Sequence, residues 1–204
     1  LNWLAHVFLS EPSLDFRLGN LLADVVRGPQ LEKMSPEFLR GVQRHRAIDS
    51  FTDAHVVVRR SRARVDASRR RFSGVLVDIF YDHLLATSWN RYSHVPLEHF
   101  TTQFYADAKT TRLPLPDNAQ TMLGRIVRHR LLDSYMEVEG VHQSLRRLSM
   151  RLAARWKKPF ALEAGVEDLI AHQAAFAADF DEFFPQLIQH AAANPDARVP
   201  QPVV

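Results

Sequence analysis

Apolar residues recur along this chain at spacings of three and four, the mark of helices that bury one face, and the runs end at recognisable stop signals. The pattern predicts a helix over residues 14–27, stopped by Gly28-Pro29. A second is expected over 36–53, starting from the N-cap Ser35 with Pro36 in its first turn. Residues 54–71 continue as a basic helix, and 74–92 form a strongly apolar one. Helices over 96–111 and 117–130 flank the Leu113-Pro114-Leu115-Pro116 connection, the later one capped by Asp117. Residues 131–157 are helical with a break expected at Gly140, and 162–193 with a kink or split at Pro185. Three prolines beyond Asn194 predict a frayed tail. No repeat or dividing linker appears, and no stretch alternates long enough for a sheet. The expectation is an all-α, single-domain helical bundle over residues 1–193 with a flexible tail over 194–204.

Composition narrows the chemistry. There is no Cys, which removes disulfides, thiolate zinc sites and cysteine nucleophiles, so any metal must be held by His and carboxylates. Ten His keep that route open. The opening ten residues lack a basic segment and cleavage site, and no apolar run approaches the ~20 residues that span a bilayer. A cytoplasmic protein without membrane contact is expected. The formal charge of +3 points mildly to an acidic partner.

On the 74–92 helix apolar side chains occupy nearly every direction, as on a buried helix, yet Asp78 and Asp82 share one narrow face a turn apart. Burying unpaired carboxylates costs several kcal/mol each, so they must meet arginine, accept hydrogen bonds, take up a proton or bind a cation. The 36–53 helix places His45 and Asp49 at i and i+4, with Thr52 and Asp53 nearby. That spacing suits two ligands to one metal, and equally a surface hydrogen bond. On the 14–27 helix Asn20, Asp24 and Arg27 fall within about 60° of one another, fit either for a metal edge beside a phosphate or for a solvent-facing stripe. His6, in an apolar opening segment, reads as a core histidine with its hydrogen bonds met. Three helices thus each offer a carboxylate face. His and Asp donors would favour Mn²⁺, Mg²⁺, Fe²⁺ or Zn²⁺, a site able to polarise a phosphoryl oxygen.

Between residues 59 and 71 stand seven arginines, among them Arg59, Arg60, Arg62 and Arg64, against the single acid Asp66. Val57, Val58, Val65 and Phe72 gather on the remaining strip, so the arginines are expected to face outward. A solvated face, an acidic protein, a phosphorylated ligand or nucleic acid would all account for them. The stripe lacks the interleaved aromatics of RNA-binding surfaces, which favours an acidic macromolecule.

An ordered set of short blocks then resembles the acyl carrier protein phosphodiesterase family. These are Asn2-Trp3-Leu4-Ala5-His6, the run from Gly19 to Asp24 with Arg27-Gly28, His45-Arg46-x-x-Asp49 leading into Thr52-Asp53, and Asp78-x-x-x-Asp82-His83. Leu132-Asp133-Ser134-Tyr135 and the closing helix with His172, Phe176 and Phe183-Phe184-Pro185 fit as well.

The resemblance implies a helical fold related to the HD phosphohydrolases and dependence on a divalent metal, Mn²⁺ foremost with Mg²⁺ or Fe²⁺ as alternatives. It implies hydrolysis of the 4′-phosphopantetheine arm from the serine of holo acyl carrier protein, an acidic protein substrate that would dock on Arg59, Arg60, Arg62 and Arg64. On that reading Asp24, His45, Asp49, Asp78 and Asp82 surround the metal. His6, Asn20 and His83 assist or move protons, and Arg27 and Arg46 hold phosphate oxygens. One departure stands out: His45 is followed by Arg46, not by the adjacent acid of standard HD sites, and Asp82-His83 has the reverse order. Two other readings remain, an HD-type phosphohydrolase of nucleotides or small phosphoesters, and a non-enzymatic nucleic-acid-binding module that uses the 59–71 stripe.

Overall fold

Helix α5 (Ser73–Thr87) runs through the middle of the protein, in contact with α1 (Trp3–Phe8), α4 (Val56–Arg64), α8 (Val138–Trp156) and α10 (Gln173–Ala193). Its Leu76, Val77, Phe80, Tyr81 and Leu85 are fully buried, as the all-round apolar pattern requires. Phenylalanines of α10 close over it, Phe176 at 5.3 Å from Phe80 and Phe180 at 5.3 Å from Tyr81 between ring centroids. The remaining helices are α2 (Leu14–Leu22), α3 (Pro36–Ala54), α6 (Leu97–Ala108), α7 (Asp117–Arg128) and α9 (Val166–Ala171), joined by short 3₁₀ turns. This computed structural model describes residues 1–193, and the tail predicted over 194–204 lies outside them. Among the described residues there is no strand, so the all-α expectation holds. No helix among them is long and apolar enough to cross a membrane.

Helices α2 and α3 pack backbone against backbone. A Cβ at Gly19 would lie 2.0 Å from the Phe38 carbonyl oxygen, and one at Gly41 would lie 2.1 Å from that of Phe16. Only hydrogen in place of a side chain lets the two backbones approach this far. The pairing of Phe16 with Gly41 and of Gly19 with Phe38 makes the helices antiparallel.

Several boundaries differ from the sequence expectation. The first helix ends at Leu22, not at Arg27, because the amides of Val25 and Val26 both turn back to the Leu22 carbonyl and Val26 enters the core. Gly28 follows at φ +56°, a left-handed step before Pro29 that a continuing helix does not allow. The basic helix is two pieces. Extended Val65 ends α4, and the Asp66 carboxylate accepts the Ser68 amide at 2.9 Å to start a 3₁₀ turn over Ala67–Phe72. The break expected at Gly140 falls at extended Glu137, before α8. The last stretch divides at His172, while Pro185 sits inside α10 without splitting it.

Candidate metal centre

The glycine contact between α2 and α3 sets the site. It brings the Asn20 carbonyl within 2.8 Å of His45 Nδ1, and the Asn20 side chain within 2.8 Å of His6 Nδ1 on α1. Asn20 Nδ2 donates to the His6 carbonyl at 2.7 Å and to Ser10 Oγ at 2.9 Å. With its amide committed as donor, its Oδ1 faces His6 as an acceptor, so His6 carries its proton on Nδ1. A carbonyl can only accept, so His45 does the same. Both tautomers are therefore assigned by Asn20, and both Nε2 atoms are left as lone pairs when the rings are neutral.

Those two lone pairs converge. The rings stack with centroids 4.2 Å apart, both Nε2 atoms are buried without a hydrogen-bond partner, and Asp49 lies beside them. Asp49 Oδ1 is 3.3 Å from His6 Nε2, and Oδ2 is 3.1 Å from His45 Nε2. One donor atom from each of the three residues lies within 4.8 Å of the others. Burial pulls the His6 imidazole below its usual range, and the neighbouring His45 adds to this. Burial opposes the charge on His45 too, but the adjoining carboxylate of Asp49 and the charge of Asp24 prevail and raise it. Asp49 itself, though burial pushes the other way, is held well below the usual carboxylate range by His45 and His6. Two stacked rings that turn their Nε2 atoms toward a firmly ionised carboxylate make up the donor set of a divalent cation.

The other predicted residues take different places. Asp24, largely exposed, lies 3.7 Å from His45 Nε2 at the outer rim, with Arg27 3.3 Å away. Asp78 adjoins the cluster through the Leu1 amino group, which is 3.3 Å from Asp78 and 3.5 Å from Asp49. Asp82 is fully buried, and its two oxygens accept the amides of Leu4 at 2.7 Å and Ala5 at 3.1 Å. It caps the first turn of α1 from 78 residues away, in place of Asn2, which makes no side-chain cap. Burial outweighs those two amides and pushes the Asp82 carboxyl up to about 7. Of the four fates open to a buried carboxylate, Asp82 thus takes backbone hydrogen bonds and a raised proton affinity. Its link to the cluster runs through the helix that carries His6. His83 is buried with Nδ1 donating to the Tyr135 carbonyl at 2.8 Å. Arg46 is exposed on α3, one position past His45.

The arginine stripe does not face outward as a block. Arg60 and Arg64 both bind the buried Asp179, at 2.6 and 3.1 Å, and Arg60 also reaches Glu182. Arg62 pairs with Asp53 at 2.6 Å, and Arg69 with Asp168 at 3.0 Å. Arg59 alone of the four predicted docking residues has no acidic partner and donates to the Ala54 carbonyl. Four of the seven arginines are thus taken up within the fold, Arg60 and Arg64 by pinning α4 to α10.

The sequence offered no signal for Ser10, which supports Asn20, and Tyr135, whose hydroxyl accepts Asn2 Nδ2 at 2.6 Å, figured there only within a block of the family resemblance. Both act across gaps that local periodicity does not register.

Comparison with known proteins identifies the family. The model of the family described as acyl carrier protein phosphodiesterase matches residues 1–187. A protein named acyl carrier protein phosphodiesterase from Serratia proteamaculans is 32% identical over 193 residues, covering 94% of this chain and 97% of that relative. Proteins of the same name from Pectobacterium atrosepticum and Escherichia coli O6:K15:H31 are 29% and 30% identical. They cover 93% and 94% of this chain, and 96% and 98% of their own lengths are matched. No solved structure matches the chain.

Proposed function

Since the chain belongs to the acyl carrier protein phosphodiesterase family, we propose that it is a cytoplasmic hydrolase that releases 4′-phosphopantetheine from the serine of holo acyl carrier protein, with a divalent cation held by His6, His45 and Asp49. The observation that carries the metal reading is the pair of buried Nε2 atoms, orphaned and turned by Asn20 toward one carboxylate. Their fit is to a borderline cation such as Mn²⁺ or Fe²⁺, since two imidazole nitrogens suit Mg²⁺ poorly. Bound there, such an ion supplies Lewis-acid polarisation of a phosphoryl oxygen and acidifies water. The helical fold and this His–Asp set support kinship with the HD phosphohydrolases, without their adjacent His-Asp pair.

The chain's own residues divide the remaining work. Asn20 holds both imidazoles in the ligating tautomer, and Asp49 supplies the negative charge that keeps a cation between them. Asp24 closes the solvent side of the cluster at 3.7 Å from His45. Arg27, 3.3 Å from Asp24, and Arg46, exposed one position past His45, would hold non-bridging phosphate oxygens. Asp82 and Asp78 support the first turn, Asp82 by fixing α1 and with it His6. The proton for the departing serine oxygen is assigned to neither His6, drawn into the ligand set, nor His83, committed to Tyr135.

The test is direct. Holo carrier protein is incubated with the protein and Mn²⁺, and the carrier is weighed by mass spectrometry. Loss of the arm, abolished by chelator, is expected. A carrier that keeps its arm while a nucleotide or simple phosphoester is hydrolysed would replace this substrate with a small one.

A further inference from the structure

A second feature lies beside the metal centre. Between α5, α7 and α8 opens a cleft of about 790 Å³. Its apolar floor includes Trp3, Val75, Ile79 and Leu148, and Met150 stands 56% exposed at the rim. Val25, which follows Asp24, and Ile79, which follows Asp78, both line it, so the cleft begins where the cluster ends.

The charge of this cleft is one-sided. Arg125 of α7 and Arg147 and Arg151 of α8 line it, and no Asp or Glu does. Arg147 donates to Ser144 Oγ at 3.3 Å, and among the described residues none of the three has a carboxylate within ion-pair distance. Burial, then the like charges of Arg125 and Arg147, pull the Arg151 guanidinium below its usual range. Of the four arginines predicted to dock from the 59–71 stripe, Arg60, Arg62 and Arg64 are each paired with an acid within the fold and Arg59 stands alone, whereas here three guanidinium groups with no acid beside them gather over an apolar floor. Such a set lacks a counterion that only a ligand can bring.

We infer that this cleft, and not the 59–71 stripe, is the docking surface for the protein substrate, taking an acidic amphipathic segment whose carboxylates meet Arg125, Arg147 and Arg151 while its apolar side chains cover Trp3 and Leu148. The inference rests on the hydrolase reading above and says where the carrier must lie for its modified serine to reach the cluster.

The experiment compares wild type, Arg125→Glu/Arg151→Glu and Arg59→Glu in Mn²⁺-supported release of the arm from holo carrier protein, at low and high salt. For the double variant KM should rise about 30-fold at low salt with kcat within about twofold, since like charges then face the substrate. The wild-type KM should climb with salt and approach that of the variant. Arg59→Glu should leave KM within about twofold. If charge reversal prevents folding by circular dichroism, Arg125→Gln/Arg151→Gln serves, with about a tenfold rise expected. An unchanged KM in the cleft variants, or an equal rise in Arg59→Glu, overturns the docking surface while leaving the hydrolase reading intact. Failure of the wild type to release the arm overturns both.

Discussion

Asp82 offers the sharpest test of the physics, because two large effects oppose each other on one carboxyl. Its two oxygens accept the Leu4 and Ala5 amides, which favours the anion, yet full burial wins and lifts its pKa from 3.8 to about 7. A shift of that size corresponds to roughly 4 kcal/mol of linkage. The folded state therefore binds this proton more tightly than the unfolded chain does. The associated stability is present in full below about pH 4 and is lost as pH rises through about 7. Asp82→Asn removes the titration. Asparagine keeps one acceptor for the α1 amides but turns an NH₂ toward the other, at a cost of about 1–3 kcal/mol. The variant should thus be less stable than wild type at pH 5, and the deficit should shrink by roughly 2.5 kcal/mol between pH 5 and pH 8, since about two pH units of the linkage lie in that interval. Urea unfolding followed by circular dichroism in EDTA, at pH 5, 6.5 and 8, reads this difference. A deficit that stays constant with pH, or grows toward pH 8, refutes the reasoning. Growth would mean that the helix amides outweigh desolvation and that Asp82 is ionised throughout.

Three further outcomes are expected. Gly41→Ala should destabilise the fold by about 3 kcal/mol or more, where an ordinary helix glycine would gain stability from the same change; a raised Tm would contradict the 2.1 Å approach to the Phe16 carbonyl. Asp179→Ala should cost about 2–4 kcal/mol in urea unfolding, because it strands Arg60, Arg64 and Ser61 together, and a loss under about 0.5 kcal/mol would show the network to be idle. Asn20→Ala should weaken Mn²⁺ binding, followed by electron paramagnetic resonance, by about 10–100-fold through loss of tautomer control, and wild-type affinity should fall with pH as the raised His45 proton competes for Nε2. Unaltered affinity in the variant would remove Asn20 from the site.

What the chain determines alone is whatever short-range spacing encodes. The apolar period specifies helices, Ser35-Pro36 starts α3, and the turn of four between His45 and Asp49 puts both on one face, where the structure finds them 3.1 Å apart. Gly28-Pro29 announces a stop, but the packing of Val26 into the core ends α2 five residues sooner. The rest belongs to tertiary structure. His6 reads as an ordinary core histidine until Asn20, fourteen residues on, turns its Nε2 toward Asp49. Asp78 and Asp82 look equivalent on a helical wheel, yet one faces the cluster's edge and the other caps α1. The clustered arginines suggest a docking face, while the acids that hold Arg60 and Arg64 lie 115 to 122 residues away. Partners of a charge are chosen by distance in space, and neither composition nor periodicity carries that distance.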